Sequence, residues 1–168
     1  SYNCYSLDAT EAVLGPTELT DNADSIVIYE LNSNTMMYTL NPDQLIEPAS
    51  LVKIMTCLIA VEKGVMTDAV TIKAETIDTI PSDAANVSLQ PDEVLTFEQL
   101  MYCMMISSAN DAAAVIAEHI AGSQEQFVSM MNEYAMELGC VNTHFTNVHG
   151  LYDVNQYSTA RDLTKILA

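Results

Sequence analysis

The sequence predicts an α+β fold: a helical lobe joined to a small, incomplete antiparallel sheet. Three observations predict it. Only residues 25–40 read as a β-hairpin. About five segments carry helical periodicity or helix-capping signals. Of the 168 residues 49% are hydrophobic, enough for a sizeable core in one domain.

In order, residues 1–24 are polar and irregular, with a turn signal at Gly15-Pro16. Ser25–Leu31 is rich in β-branched residues and reads as a strand; Asn32–Thr35 is turn chemistry, and Met36–Leu40 is the return strand. Glu47-Pro48-Ala49-Ser50 opens a helix, because proline suits a first turn whose N–H has no helical partner anyway. Ile54, Met55, Leu58, Ile59 and Val61 continue it, and Gly64 stops it. Val70-Thr71-Ile72 is a short extended piece. Residues 76–95, broken by Pro81 and Pro91, read as an excursion with little regular structure. Thr96-x-x-Gln99 is a capping-box pattern and predicts a helix with Leu100, Met101, Met104 and Met105 on its apolar face. Ser107–Asp111 interrupts that helix, and Ala112–Ala121 resumes it before Gly122. Ser123-x-x-Gln126 starts a further helix ending near Gly139. Residues 141–157 read as loop, and Ser158 as the cap of a last helix, Thr159–Ala168.

Two strands alone are marginal in water. The reading is therefore an irregular segment, 1–24, and a partial domain, 25–168. A companion segment or an oligomer is expected to complete the sheet.

Five Lys and Arg stand against 23 Asp and Glu, a formal charge of −18. A nucleic-acid binder needs a basic footprint, so that class is excluded, and anionic membrane surfaces are disfavoured. No stretch reaches the roughly 18 consecutive apolar residues of a membrane span, and no basic-then-apolar leader is legible at the start. Cys4, Cys57, Cys103 and Cys140 form no C-x-x-C, so zinc-ribbon and thioredoxin readings fail. Their even number permits disulfides, while the helical apolar settings of Cys57 and Cys103 favour buried thiols. No metal site is predicted: His144 and His149 lack a third ligand, and Asp153-Val154-Asn155 lacks the rest of a calcium loop. His119 is read as a surface or packing residue, and His149 as tying down the Asn147–Leu151 loop.

The residues able to carry chemistry are few. Ser50 and Lys53 stand three apart at a helix start and so share a face. A serine hydroxyl needs a base to become a nucleophile, and a lysine serves once an apolar setting lowers its pKa. Leu51, Val52, Ile54 and Met55 supply that setting. The Ser50 N–H, unpaired at a helix start, can donate to a developing oxyanion. The same spacing also suits a capping serine beside a lysine that snorkels. Ser108-Ala109-Asn110 lies between two apolar helices, where the hydroxyl could relay a proton and the amide hold a carbonyl; it equally suits a plain helix junction. Asp111 is read as stabilising the first turn of the next helix, not as an acid or base.

Flanking text separates these readings. Glu47-Pro48-Ala49-Ser50-Leu51-Val52-Lys53-Ile54-Met55-Thr56 is similar to the active-site segment of serine D-alanyl-D-alanine carboxypeptidases, the low-molecular-weight penicillin-binding proteins. Ser107-Ser108-Ala109-Asn110-Asp111-Ala112-Ala113 resembles their second motif, with Ala109 for the commoner glycine. Asn142–Leu151 and Tyr157–Leu163 resemble two further segments, in the right order, with Val148 where proline is common.

The resemblance implies a DD-peptidase/β-lactamase-like fold and removal of the terminal D-alanine from peptidoglycan stem peptides. It implies Ser50 as nucleophile, Lys53 as base, Ser108 as proton relay and Asn110 as substrate binder. It also implies acylation by β-lactam antibiotics, no cofactor, and a place outside the bacterial cytoplasmic membrane. The family's Lys-Thr-Gly motif occurs nowhere in the 168 residues. The domain is thus expected to be cut before that motif, and the chain alone to be a weak catalyst. Rival readings are a β-lactamase of the same fold, a non-catalytic binding protein, and an interaction module pairing through its hairpin. No segment resembles the deacylating carboxylate motif that the β-lactamase reading needs.

Overall fold

Hydrophobic helical stripes set the layout of the molecule, seen here in a computed structural model that describes residues 23–168. The Gly15-Pro16 turn, Cys4 and nearly all of the expected irregular segment lie outside the described residues.

After a 3-10 turn at Ala49–Leu51, helix α1 (Val52–Lys63) buries Val52, Met55, Ile59 and Ala60, the i, i+3, i+7, i+8 stripe of a helix with one core-facing side. Helix α3 (Phe97–Ile106) buries Phe97, Leu100, Met101 and Met104. Helix α5 (Gln124–Glu137) buries Phe127, Met131 and Ala135. Between them runs α4 (Asn110–Ala121), in which every residue from Asn110 to Ala117 is buried. Its alanines let α1, α3 and α5 approach closely, and these helices share one core.

Two of the predicted starts and one predicted stop are built as expected. Thr96 and Gln99 form a reciprocal capping box, with N···O distances of 3.2 and 2.8 Å. Ser123 Oγ accepts the Gln126 N–H, and Gly122 ends α4 at φ +85°.

Three boundaries differ from the sequence reading. The excursion holds a short helix α2 (Ala74–Ile77) and a strand β4 (Val94–Thr96) that pairs antiparallel with β3 (Ala69–Thr71). Three-residue strands are too short to show a period of two. Helix α4 begins at Asn110, two residues early. The last helix, α6 (Ala160–Leu167), is capped by Thr159, whose Oγ1 accepts the Asp162 N–H at 3.1 Å. Ser158 instead pairs its backbone with Ile46 and its hydroxyl with Thr143.

The hairpin forms where predicted: β1 (Ile26–Glu30) pairs antiparallel with β2 (Thr35–Leu40), with an irregularity between Ile28 and Tyr29. Met36 and Tyr38 are buried, and α6 packs on β1. Arg161 fixes that packing through a two-nitrogen fork on Asp43, at 2.6 and 3.1 Å. Among the described residues these two strands pair only with each other. No helix there is long and apolar enough to cross a membrane.

Candidate active site

The helix packing brings the four predicted residues together. Lys53 sits in the first turn of α1 and is only 3% exposed. Burial penalises its charged form and lowers its pKa to about 8. Its Nζ donates to two oxygens, Asn110 Oδ1 and the His149 carbonyl, each at 2.6 Å. A neutral amine has two N–H bonds and one lone pair. Both N–H bonds are thus committed to carbonyl-type oxygens, and the lone pair alone is left to take a proton.

Ser50 lies in the 3-10 turn and Lys53 three residues on, in the first turn of α1, a spacing that places the two on one helical face. Its hydroxyl is exposed and accepts a hydrogen bond from Ser108 Oγ at 3.1 Å. The hydrogen bond to Ser50 thus comes from Ser108 and not from Lys53. The Ser50 N–H has no partner among the described residues, as a helix start requires.

Ser108 occupies the left-handed region, φ +54°, at the break between α3 and α4. That conformation is uncommon for a residue with a side chain. Here it turns the chain out of α3 and brings Ser108 to Ser50 and Asn110 to Lys53. Ala109 is fully buried behind them, so its methyl group packs in the core.

Sequence reasoning missed three contributors. The His149 carbonyl holds Lys53, as described. Thr56, one turn after Lys53, donates from Oγ1 to the Val148 carbonyl at 2.7 Å, so α1 grips the 148–149 backbone twice. Gly150 backs onto the Ala49–Leu51 turn at φ +91°, where an added Cβ would lie 1.9 Å from the Ala49 carbonyl oxygen. A regular spacing signals Thr56 alone: it follows Lys53 by three.

His149 plays the expected tethering part, its Nδ1 accepting the Leu151 N–H at 3.2 Å. Burial, reinforced by the charge of Lys53, lowers its pKa to about 4, so it stays neutral near pH 7. His119 is paired with Asp68 at 3.1 Å and tilted against Phe97. His144 Nδ1 lies 2.8 Å from the Asn155 carbonyl. Among the described residues no group of three or more His, Cys, Asp or Glu side chains converges as a metal-ligand set. Cys57 and Cys103 are half-buried thiols whose pKa values burial raises, which makes them poor nucleophiles.

Gly150→Ala tests the frame. The variant forces a side chain into a left-handed residue and against backbone that cannot yield. A loss of about 2–5 kcal/mol is expected, from strain and overpacking together. It is read as a fall in the urea midpoint; an unchanged midpoint would show that the 148–151 loop can move away at little cost.

Residues 12–168 match the family described as D-alanyl-D-alanine carboxypeptidase. The chain is 36% identical to the D-alanyl-D-alanine carboxypeptidase DacA of Haemophilus influenzae, over 98% of this chain and 43% of that protein. It is 36% identical to DacF of Bacillus subtilis, over 88% of this chain and 38% of the relative. Among solved structures, penicillin binding protein 5 of Haemophilus influenzae superposes with a TM-score of 0.83 at 37% identity, covering 91% of this chain and 45% of the other. The chain thus spans less than half the length of these relatives.

Proposed function

The chain belongs to the serine-type D-alanyl-D-alanine carboxypeptidase family, with its α+β DD-peptidase fold, and we propose from that premise that Ser50 carries the family's acyl-transfer chemistry. In this reading the full-length protein removes the terminal D-alanine from peptidoglycan stem peptides. The Lys53 lone pair accepts the Ser50 proton as Oγ attacks the penultimate D-alanine carbonyl. The Ser50 N–H donates to the oxyanion that forms. As the carbon–nitrogen bond breaks, the proton taken up by Lys53 passes by way of the Ser108 hydroxyl to the leaving D-alanine nitrogen, which returns Lys53 to its neutral form. Water then hydrolyses the acyl-enzyme and Lys53 serves again as base. Asn110 keeps Lys53 in place through Oδ1 and offers its amide N–H bonds to the substrate backbone.

A β-lactam would acylate Ser50 by the same steps, its ring amide replacing the peptide bond. The substrate's terminal carboxylate and the second oxyanion donor have no assigned residues here, since no Lys-Thr-Gly occurs in the sequence. A place outside the cytoplasmic membrane follows from the substrate.

The observation that carries the proposal is the buried Lys53 amine, held by Asn110 and His149 beside the Ser50–Ser108 hydroxyl pair. The test is D-alanine release from a stem pentapeptide, with labelling by fluorescent penicillin alongside. Release without rapid penicillin hydrolysis supports a carboxypeptidase; rapid penicillin hydrolysis without release would make it a β-lactamase.

The pH profile follows from Lys53. Only its neutral form accepts a proton, and its pKa lies near 8. Acylation of the free protein is expected to rise about tenfold from pH 6 to pH 7, pass its midpoint near pH 8, and level off above about pH 9. A rate already flat from pH 6 upward would remove Lys53 as the base. The sign for stability is the same. The amine is depressed from 10.5, so between about pH 8 and 10.5 the unfolded chain binds the extra proton. Lys53 therefore makes the fold more stable as pH rises through that window.

A further inference from the structure

Asp111 is 4% exposed and follows Asn110 at the head of α4. Its carboxylate accepts the N–H of Ala112 at 2.9 Å, which serves the first helical turn. Its other bonds leave the helix. It accepts the N–H of Val87, at 3.2 Å to both oxygens, and the N–H of Leu89 at 3.1 Å. Immediately beside these, the Asn110 N–H donates to the Ala85 carbonyl at 2.8 Å. Residues 85–89 are thus fastened to the same two helix residues, one of which presents its side chain to Lys53.

The segment is also shaped from within. Asn86 Oδ1 accepts both the N–H and the hydroxyl of Ser88, at 3.0 and 3.1 Å, and Ser88 sits at φ +58°. That turn aims the Val87 and Leu89 N–H bonds at one carboxylate.

We infer that Asp111 is a positioning residue: by clamping residues 85–89 to the head of α4, it fixes Asn110 against Lys53. The inference rests on the acyl-transfer reading of Ser50 and Lys53. Among the described residues Lys53 Nζ bonds to Asn110 and His149 and not to Asp111. The aspartate acts through Asn110, whose backbone is held by the segment that Asp111 anchors. Misplacing a catalytic partner by about 1 Å costs as much as ~10²-fold in rate.

The experiment uses the full-length protein and the rate constant for acylation by fluorescent penicillin, per folded active site, across pH 6–10. Asp111→Asn keeps the shape but sets an NH₂ group against an N–H donor. The expected result is a plateau rate at least about tenfold lower, with the pH midpoint still near that of the wild type and the backbone amides of Val87 and Leu89 losing protection from hydrogen exchange. A merely structural role would lower the melting temperature and leave the plateau rate untouched. Asn86→Ala, a change outside the catalytic set, loosens the same segment without altering α4 and is expected to slow acylation by a few-fold. The inference is overturned if the plateau rate stays at the wild-type level in folded Asp111→Asn, or in folded Asn86→Ala should Asp111→Asn not fold. It is overturned also if the midpoint moves with the rate, which would make Asp111 an electrostatic partner of Lys53. Acylation of the wild type at Ser50 reports separately on the functional reading, so the two cannot fail in disguise of one another.

Discussion

Ser50→Ala in the full-length protein is expected to abolish covalent labelling by penicillin and to cut D-alanine release by about 10⁴–10⁶-fold, the range for removing a serine nucleophile. The reasoning is geometric. Ser50 carries an exposed hydroxyl hydrogen-bonded to Ser108, two residues before the Asn110 that holds Lys53, and its own N–H has no partner among the described residues. Without Oγ there is no acyl-enzyme; what survives is substrate binding and a general field. Unfolding would not confound the result. Ser50 is exposed, and its one side-chain hydrogen bond comes from Ser108, so the expected stability change is within about 0.5 kcal/mol. Ser108→Ala, in contrast, should weaken labelling without abolishing it, because in the proposed mechanism Ser108 relays a proton but forms no bond to carbon. Mass spectrometry of the labelled peptide decides: label that persists on Ser50→Ala, or that maps to Ser108, removes Ser50 as the nucleophile.

The sequence made these predictions reachable because side chains with regular spacing leave a regular trace. The i, i+3 relation of Ser50 and Lys53, the capping pair Thr96 and Gln99, and the stripes of α1, α3 and α5 are local relations. Each is fixed by helical geometry before any tertiary contact forms. The hairpin was legible for the same reason, since its turn chemistry and β-branched run adjoin in the chain.

What stayed hidden is what backbone atoms do at long range. The carbonyl that holds Lys53 belongs to His149, 96 residues away, and a carbonyl has no signature of its own. Gly150 could be noticed only as a glycine; its meaning depends on Ala49 lying against it. Asp111 was read as a first-turn residue, and its bond to Ala112 is that. Its bonds to Val87 and Leu89 depend on where a proline-broken stretch of chain comes to rest. The Thr159 cap replaced the predicted Ser158 cap because Ser158 was drawn into pairing with Ile46. Local propensity alone could not foresee that competition.

Lys53→Arg separates a base from a mere positive charge. The arginine keeps the cation and most of the length, but a guanidinium does not lose its proton in any accessible pH range. It also carries five N–H donors and no lone pair, in a site whose fixed acceptors are the two oxygens of Asn110 and His149. If Lys53 served only to attract an anionic substrate or to steady Asn110, arginine would do nearly as well. If its lone pair takes the Ser50 proton, acylation is expected to fall by at least ~10²-fold, within the usual range for general-base catalysis. The pH profile supplies the second criterion. On the proposed role the wild-type rise expected through about pH 8 comes from the Lys53 amine, so the arginine variant is expected to acylate at a low rate that no longer climbs through that region. A thermal melt run in parallel identifies unfolded material, since a permanent charge in a site only 3% exposed also destabilises the fold. Folded Lys53→Arg with near wild-type acylation, or one that keeps the midpoint near pH 8, would transfer the base role to another group.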